Sequence, residues 1–288
     1  MHFDGMYGLG DNIYQRAVVR ALPGIHYLRT PWPQLYADLP NIRCVRPVTR
    51  LRTQAKNAAR GWQWDTPPSS MGARKANYVH HNGTMLAGLC AAFGISLPSV
   101  TFDLPPFRVS AIEEPYVVIR PATVRAEWRA DARNPKPEYL AAAAMAAVSA
   151  GYRVVSVADL ADGHEWIDGA VPFADYRYHS GELAVEELLG LVRGAAGVIG
   201  GVGWLVPAAV AYRVPMLLLY GGWGAPNGPH RIFDSRMDVS RIHPVIPDNF
   251  CMCRDSMHAC DKTISNLDRH LAQFFARLPL GKPADLAA

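Results

Sequence analysis

Apolar positions recur at three- and four-residue intervals over 13–22, which predicts a helix, and the run Gly8, Leu9, Gly10, Asp11, Asn12 precedes it. Short apolar runs at 25–28 and 42–45 read as strands. Residues 46–75 carry little periodicity and many Arg, Pro, Ser and Gly residues, so this stretch reads as irregular. Asn82 and Gly83 then open an apolar helix over 84–93.

The texture changes after Pro98, Pro105, Pro106 and Pro115, which discourage helix and mark 98–115 as a linker. Beyond it, strands at 116–119, 152–157, 197–200 and 215–220 alternate with helices at 137–150, 184–193 and 205–212. Alternation of this kind builds βα units on a parallel sheet. The pattern predicts an α/β protein of two lobes, 1–105 and 110–288, with parallel sheets facing a central cleft. A final amphipathic helix over 262–277 is placed to cross back to the first lobe.

Composition narrows the class. The 288 residues are 50% hydrophobic and 19% charged, as in a globular protein with a core. The longest apolar run, 198–220, is interrupted by three glycines, two prolines and Arg213, so no membrane span is expected. Met1 leads into a polar segment without the form of a signal peptide, and the expected location is the cytoplasm, that of the host if the chain is viral. The net charge of +4 is mild, but its distribution is not. Between positions 43 and 75 stand Arg43, Arg46, Arg50, Arg52, Lys56, Arg60, Arg74 and Lys75 against Asp65 alone, with Trp62 and Trp64 among them. Basic residues neutralise phosphates and aromatic rings stack on bases, so the segment is a candidate surface for an anionic acceptor; the plainer reading is a solvated loop with two packed tryptophans.

Four further motifs carry chemistry. In Gly8-Leu9-Gly10-Asp11 the glycines let a ligand approach a helix start, and Asp11 is either a helix cap or a general base. Arg120, Pro121, Ala122 and Thr123 follow a buried strand, and Arg125, Arg129 and Arg133 follow them, a set suited to phosphate oxygens. Gly200, Gly201 and Gly203, and again Gly221, stand at strand ends where backbone N–H groups can meet a nucleotide. Cys251, Cys253, His258 and Cys260 have the donor types of a structural zinc site, although Cys-x-Cys is tighter than the usual spacing; a tertiary thiol cluster or a disulfide competes with that reading. His80 and His81, before the 84–93 helix, have no assigned role.

The order of these motifs resembles the heptosyltransferase-like glycosyltransferases of family nine. The resemblance rests on Gly8-Leu9-Gly10-Asp11-Asn12-Ile13, on the strand ending in Arg120-Pro121-Ala122-Thr123, on the run from Glu186 through Arg193 to Val198-Ile199-Gly200, and on Ala208 to Ala211 with Pro215 and Leu217 to Gly221. It covers most of the chain and is thin over 43–115. It implies a GT-B fold of two Rossmann-like lobes, the acceptor on the first and a UDP- or ADP-linked sugar on the second. It implies inversion at the anomeric carbon without a catalytic metal, Asp11 as base, and donor phosphates held by Gly10, Arg120, Thr123 and a basic partner among Arg125, Arg129 and Arg133, of which Arg129 is favoured. One departure stands out. Where the family shows an Asp-Ser/Thr-Gly-x-x-His run, this chain has Val202, Gly203, Trp204, Leu205, Val206 and Pro207, so sugar recognition must differ. The basic, Trp-containing segment (Arg50, Arg52, Lys56, Arg60, Trp62, Trp64, Arg74, Lys75) favours 5-hydroxymethyl-pyrimidine DNA as acceptor, as in phage-type DNA glycosyltransferases. A lipopolysaccharide or other anionic glycan is the alternative, and a non-catalytic nucleotide or nucleic-acid binding module the third reading. The oligomeric state is not legible.

Overall fold

A computed structural model describes residues 1–109 and 112–279; the middle of the 98–115 linker and the end of the second lobe lie outside the described residues. The chain divides into two compact units, Met1–Pro105 with Pro229–Asp238, and Pro106–Gly228 with Val239–Ala288.

The first unit is built on a four-stranded parallel sheet. Its strands are β1 (His2–Asp4), β2 (His26–Arg29), β3 (Ile42–Val45) and β4 (Ala73–Lys75), in the order β3-β2-β1-β4. Helix α1 (Leu9–Val19) connects β1 to β2 and is buried at every position from Asn12 to Val19. Helix α2 (Arg52–Ala58) and strand β4 occupy the stretch whose periodicity predicted irregular structure. That expectation fails because β4 is an edge strand with all three residues exposed, so it needs no apolar alternation. Helix α3 (Met85–Phe93) starts at Thr84, whose hydroxyl accepts from the Ala87 N–H at 3.1 Å, and ends on Gly94 in the left-handed region.

One cation lies inside this unit. Arg16 is fully buried on α1 and forks onto Asp38 with two bonds of 2.7 Å. It also donates to the Leu35 carbonyl at 2.5 Å and the Asp103 carbonyl at 3.1 Å. A buried guanidinium is tolerated only when its donors are met in this way.

The second unit carries a six-stranded sheet, parallel throughout, in the order β12-β11-β10-β5-β7-β9. The strands are β5 (Tyr116–Ile119), β7 (Arg153–Val157), β9 (Tyr176–Tyr178), β10 (Gly197–Gly200), β11 (Met216–Leu219) and β12 (Ile242–Val245). A separate antiparallel pair joins β6 (Thr123–Arg125) to β8 (Glu165–Ile167). β5, β10 and β11 are buried at every residue, as expected of parallel strands covered on both faces. Helix α4 (Pro137–Ser149) has proline at its first position, and α5 (Val185–Arg193) is held at its start by Glu187, which accepts from the Ala184 N–H at 2.7 Å. Helix α6 (Leu205–Tyr212) follows β10.

The last helix, Leu267–Phe275, does not cross back. Its Leu271 and Phe274 join the second unit's core with Leu140, Ala144 and Val245. The segment that belongs to the first unit is Pro229–Asp238. It is held there by polar bonds: Tyr14 donates to the Ile232 carbonyl at 2.7 Å, Arg231 to the His81 carbonyl at 2.6 Å, Arg236 to the Leu97 carbonyl at 3.1 Å, and Thr84 to the Asp234 carboxylate. No helix among the described residues is long and apolar enough to cross a membrane.

Arg16→Met should lower stability in urea titration by about 3 kcal/mol, and Asp38→Asn by only about 1 kcal/mol, because Asp38 is partly solvated and the arginine is not. Burial raises the Asp38 carboxyl, but hydrogen bonding and charge from Arg16 outweigh it and hold the group below its ordinary 3.8. The pair therefore contributes fully above about pH 4 and is lost as pH falls through the lower folded value. Melting curves between pH 7 and pH 2 should show this loss in the wild type and not in Asp38→Asn.

Candidate functional site

Both sheets change direction about their first strand. In the first unit β2 and β3 lie on one side of β1 and β4 on the other; in the second, β7 and β9 lie on one side of β5 and β10, β11 and β12 on the other. Ligands of open parallel sheets bind beyond the carboxyl ends of the strands at such a reversal. The relevant loops are those leaving β1 and β4, and those leaving β5 and β10.

The loop leaving β1 runs from Gly5 to Gly8, and its backbone is held by side chains. Gln15 accepts from the Met6 N–H at 2.9 Å. Asn12 donates to the Met6 and Gly8 carbonyls at 2.6 and 2.8 Å, and the Trp32 indole donates to the Tyr7 carbonyl at 2.8 Å. Asn12 is itself fixed by the hydroxyls of Thr30 at 2.7 Å and Tyr36 at 2.8 Å, while the Gln15 amide donates to the Tyr36 oxygen at 2.8 Å. All four of these side chains are fully buried or nearly so. Burial pushes the Tyr36 phenol far up, so it remains a donor.

Helix α1 begins earlier than the pattern over 13–22 predicts, with Gly8 as its cap residue and Leu9 and Gly10 in its first turn. Asp11 is thus the third helical residue and does not cap the helix. Its Oδ1 accepts from the Tyr78 hydroxyl at 2.6 Å, and Tyr78 follows β4 by three residues. Burial and the neighbouring Asp11 charge push the Tyr78 phenol well up, which keeps it protonated as the donor. The other carboxylate oxygen lies over Gly8, where a Cβ would collide with it. Asp11 and Tyr78 therefore meet at the reversal of the first sheet.

Within the same unit, Arg50, Lys56, Arg60, Arg74 and Lys75 are exposed, and Arg52, Trp62 and Trp64 are partly buried. Arg74 and Lys75 lie on β4, the strand that leads into Tyr78. His81 accepts from the Gly83 N–H at 3.0 Å beside the start of α3.

At the second reversal, the Arg120 N–H extends the β5–β10 ladder to the Ile199 carbonyl at 2.9 Å. The Arg120 guanidinium donates to the Thr123 hydroxyl at 3.2 Å, and Gly200 and Gly203 border its side chain. Burial pulls Arg120 down to about 10; Glu165 opposes the fall, and Arg133 and Arg125 add to it. The cluster holds three guanidiniums and one nearby carboxylate, a setting that favours an incoming anion.

The other expected ligands divide. Arg125 is engaged by the buried Glu165 through bonds of 3.1 and 3.0 Å across the β6–β8 pair. Arg129 is exposed and forks onto Asp131 at 2.7–3.1 Å. Gly201 packs against Pro135, and Gly221 is buried against the Arg133 and Asn134 carbonyls, where any side chain would collide. Gly221 is small because the backbone of the 131–134 turn touches it. Tyr78, Asn12, Gln15, Tyr36 and Glu165, which support the candidate residues, were not expected to do so from the sequence. A signal existed for two of them, since Asn12 and Gln15 are polar residues inside an otherwise apolar helical face.

Asn12→Ala should cost about 2–3 kcal/mol in denaturant titration, because it strands two buried hydroxyls and two carbonyls, and Tyr36→Phe about 1 kcal/mol. The double variant should cost less than the sum, since both belong to one network.

No protein-family model and no curated protein sequence matches the chain. Solved structures do. The dodecameric iron-containing heptosyltransferase TibC of enterotoxigenic E. coli, in complex with ADP-D-β-D-heptose, superposes with a TM-score of 0.61 at 18% identity, over 96% of this chain and 77% of its own. A family nine glycosyltransferase from Veillonella parvula gives 0.57 at 12% identity, over 96% and 97%. The E. coli ADP-heptose lipopolysaccharide heptosyltransferase II gives 0.54 at 13%, over 94% and 98%. The chain has the GT-B fold of the family nine heptosyltransferases, an α/β architecture of two units on parallel sheets.

Proposed function

We propose that this protein is an inverting glycosyltransferase that moves a sugar from a nucleotide diphosphate to a hydroxyl group. The observation that carries the reading is Asp11: a carboxylate in the first turn of α1, at the reversal of the first sheet, oriented by Tyr78 and following a loop held by Gln15, Asn12 and Trp32. In this mechanism Asp11 takes the proton from the acceptor hydroxyl as its oxygen attacks the anomeric carbon. The leaving diphosphate is received by the second unit. There Arg120, with Thr123 and the backbone of Gly200 to Gly203, stabilises the charge that develops as the bond breaks. Arg125 acts through Glu165 to position Arg120 rather than as a direct ligand, and Arg129 is a lesser candidate than Arg120. No step requires a metal. ADP-heptose is the first donor to test, because TibC holds it in a protein of the same fold. Val202 and Pro207 replace the carboxylate and histidine of the family run, so the residues that contact the donor sugar differ from the family's.

The acceptor is anionic and is bound by the first unit, where exposed Arg74 and Lys75 lead into Tyr78. A phosphorylated glycan fits this chemistry, and a lipopolysaccharide enzyme of the same fold supports it. Hydroxymethylated DNA is the second reading, favoured by Trp62 and Trp64 within the basic segment. Products from a panel of nucleotide-sugars with either acceptor, read by mass spectrometry, separate the two; DNA binding should also weaken steeply with salt.

Asp11→Asn should reduce turnover by about 10²–10⁴-fold with donor affinity retained. Gly8→Ala should cost about 10–100-fold by displacing the carboxylate, with a small change in melting temperature. Arg120→Met should weaken binding of the nucleoside diphosphate itself, measured by calorimetry. Equal turnover in wild type and Asp11→Asn would overturn the assignment.

A further inference from the structure

A second group of reactive side chains lies in the second unit, outside the reaction described above. After β12 the chain passes through 246–266 without helix or strand, and within it the thiols of Cys251, Cys253 and Cys260 and the imidazole of His258 converge. One donor atom from each lies within 4.8 Å of all the others. We propose that these four residues form a structural site for a thiophilic divalent ion, zinc first and ferrous iron second, which braces the loop leaving β11.

The geometry carries this. A metal–sulfur bond of about 2.3 Å and a metal–nitrogen bond of about 2.0 Å set tetrahedral edges near 3.8 Å between sulfurs and near 3.5 Å between sulfur and nitrogen. The observed separations are 3.5 Å from Cys253 Sγ to Cys260 Sγ, 3.6 Å from Cys251 Sγ to His258 Nδ1, and 3.3 Å from His258 Nδ1 to Cys260 Sγ. These three of the six edges fall within about 0.3 Å of the tetrahedral values, and the other donor pairs lie within 4.8 Å. A disulfide needs about 2.0 Å between sulfurs, and all three cysteines are free thiols. Three thiolates and an imidazole are the donors that zinc and ferrous iron take in tetrahedral sites.

The short spacing is no obstacle once the backbone is seen. The thiols of Cys251 and Cys253 both reach the cluster, while Met252 between them is 52% exposed. The chain then reverses at Asp255, whose carbonyl accepts from the His258 N–H at 3.3 Å and whose carboxylate accepts from the Met257 N–H at 2.9 Å. This brings the second i, i+2 pair, His258 and Cys260, back against the first.

The site is built into its surroundings. The Gly224 N–H donates to the Cys251 carbonyl at 2.8 Å, and the Trp223 indole donates to the Arg254 carbonyl at 2.9 Å. Gly222 approaches Cys260 so closely that any Cβ would overlap its thiol, and its N–H donates to the Ala132 carbonyl at 2.6 Å. The Ala132 N–H in turn donates to the Ser256 carbonyl at 2.9 Å, and Lys262 donates to the Asp131 carbonyl at 2.7 Å. An ion at the four donors would therefore fix both the loop leaving β11 and the 131–134 turn that carries Arg133.

The test is metal content of the full-length protein purified under reducing conditions, by inductively coupled plasma mass spectrometry. About one zinc or iron per chain is expected, and the metal found separates the two. His258→Ala, at an exposed position that folding tolerates, should lower occupancy roughly tenfold or more, as should Cys260→Ser. Cys90→Ser, on α3, should leave occupancy unchanged. Replacement by Co(II) should give the thiolate-to-cobalt charge-transfer band of tetrahedral coordination. Chelation should accelerate hydrogen exchange at the amides of Gly222 and Gly224. None of these readouts depends on glycosyl transfer. No uptake of zinc, ferrous iron or cobalt by the reduced protein, full occupancy in His258→Ala and Cys260→Ser, or a Cys253–Cys260 disulfide in the reduced preparation would overturn the proposal.

Discussion

The buried amide–hydroxyl network of Asn12, Gln15, Thr30 and Tyr36 is the constraint on which the loop leaving β1 and the start of α1 depend. A loop that leaves a parallel strand at a reversal point has no neighbouring strand to satisfy its backbone. Here the Met6 N–H and the carbonyls of Met6, Tyr7 and Gly8 are met by Gln15, Asn12 and Trp32. The loop is immobilised without being covered by another strand, and α1 starts at a defined place. Asp11 inherits that definition: its carboxylate lies over Gly8 on one side and meets the Tyr78 hydroxyl on the other. The orientation of this carboxylate is thus set by Tyr78 and by a helix start that buried polar side chains hold in place.

The second unit solves a different problem with the same strand order. At its reversal the exposed chemistry is positive rather than negative, and the supporting residue is a buried carboxylate. Glu165 pairs with Arg125 across the β6–β8 ladder and lies close enough to Arg120 to oppose part of the cost of burying it. Among the described residues, one carboxylate beside three guanidiniums leaves the cluster cationic, a setting that favours an anion. The Thr123 hydroxyl, a neutral group, accepts from Arg120 and orients it without cancelling its charge.

Several features were legible in the residues alone. Tyr116–Ile119, Gly197–Gly200 and Met216–Leu219 are uninterrupted apolar runs of strand length, and burial on both faces allows little else. Thr84, Gly94 and Pro137 mark helix ends by local chemistry that needs no partner. Asp11 could be singled out because it stands in a glycine turn before a helix, and Arg120 and Thr123 because they follow a buried apolar strand. The surroundings of Gly221 and Arg125 were not legible, for the complementary reason. Gly221 is small because the 131–134 carbonyls press on it, and Arg125 is engaged by Glu165 from forty residues away; neither partner has a local signature.

The sequence by itself determined the alternation of strands and helices, hence the α/β class, since hydrophobic period and cap chemistry act over a few residues. It also determined which residue types are available for proton transfer, phosphate binding and metal ligation. Only the tertiary structure decided which of them meet. The edge strand β4 brings Tyr78 to Asp11, the antiparallel β6–β8 pair brings Glu165 to Arg125, and the 251–260 loop brings three thiols and an imidazole together. Each of these contacts joins residues whose separation along the chain carries no periodic signal. They arise from the order in which strands pair and from the need to satisfy every buried polar group, and both are properties of the whole chain.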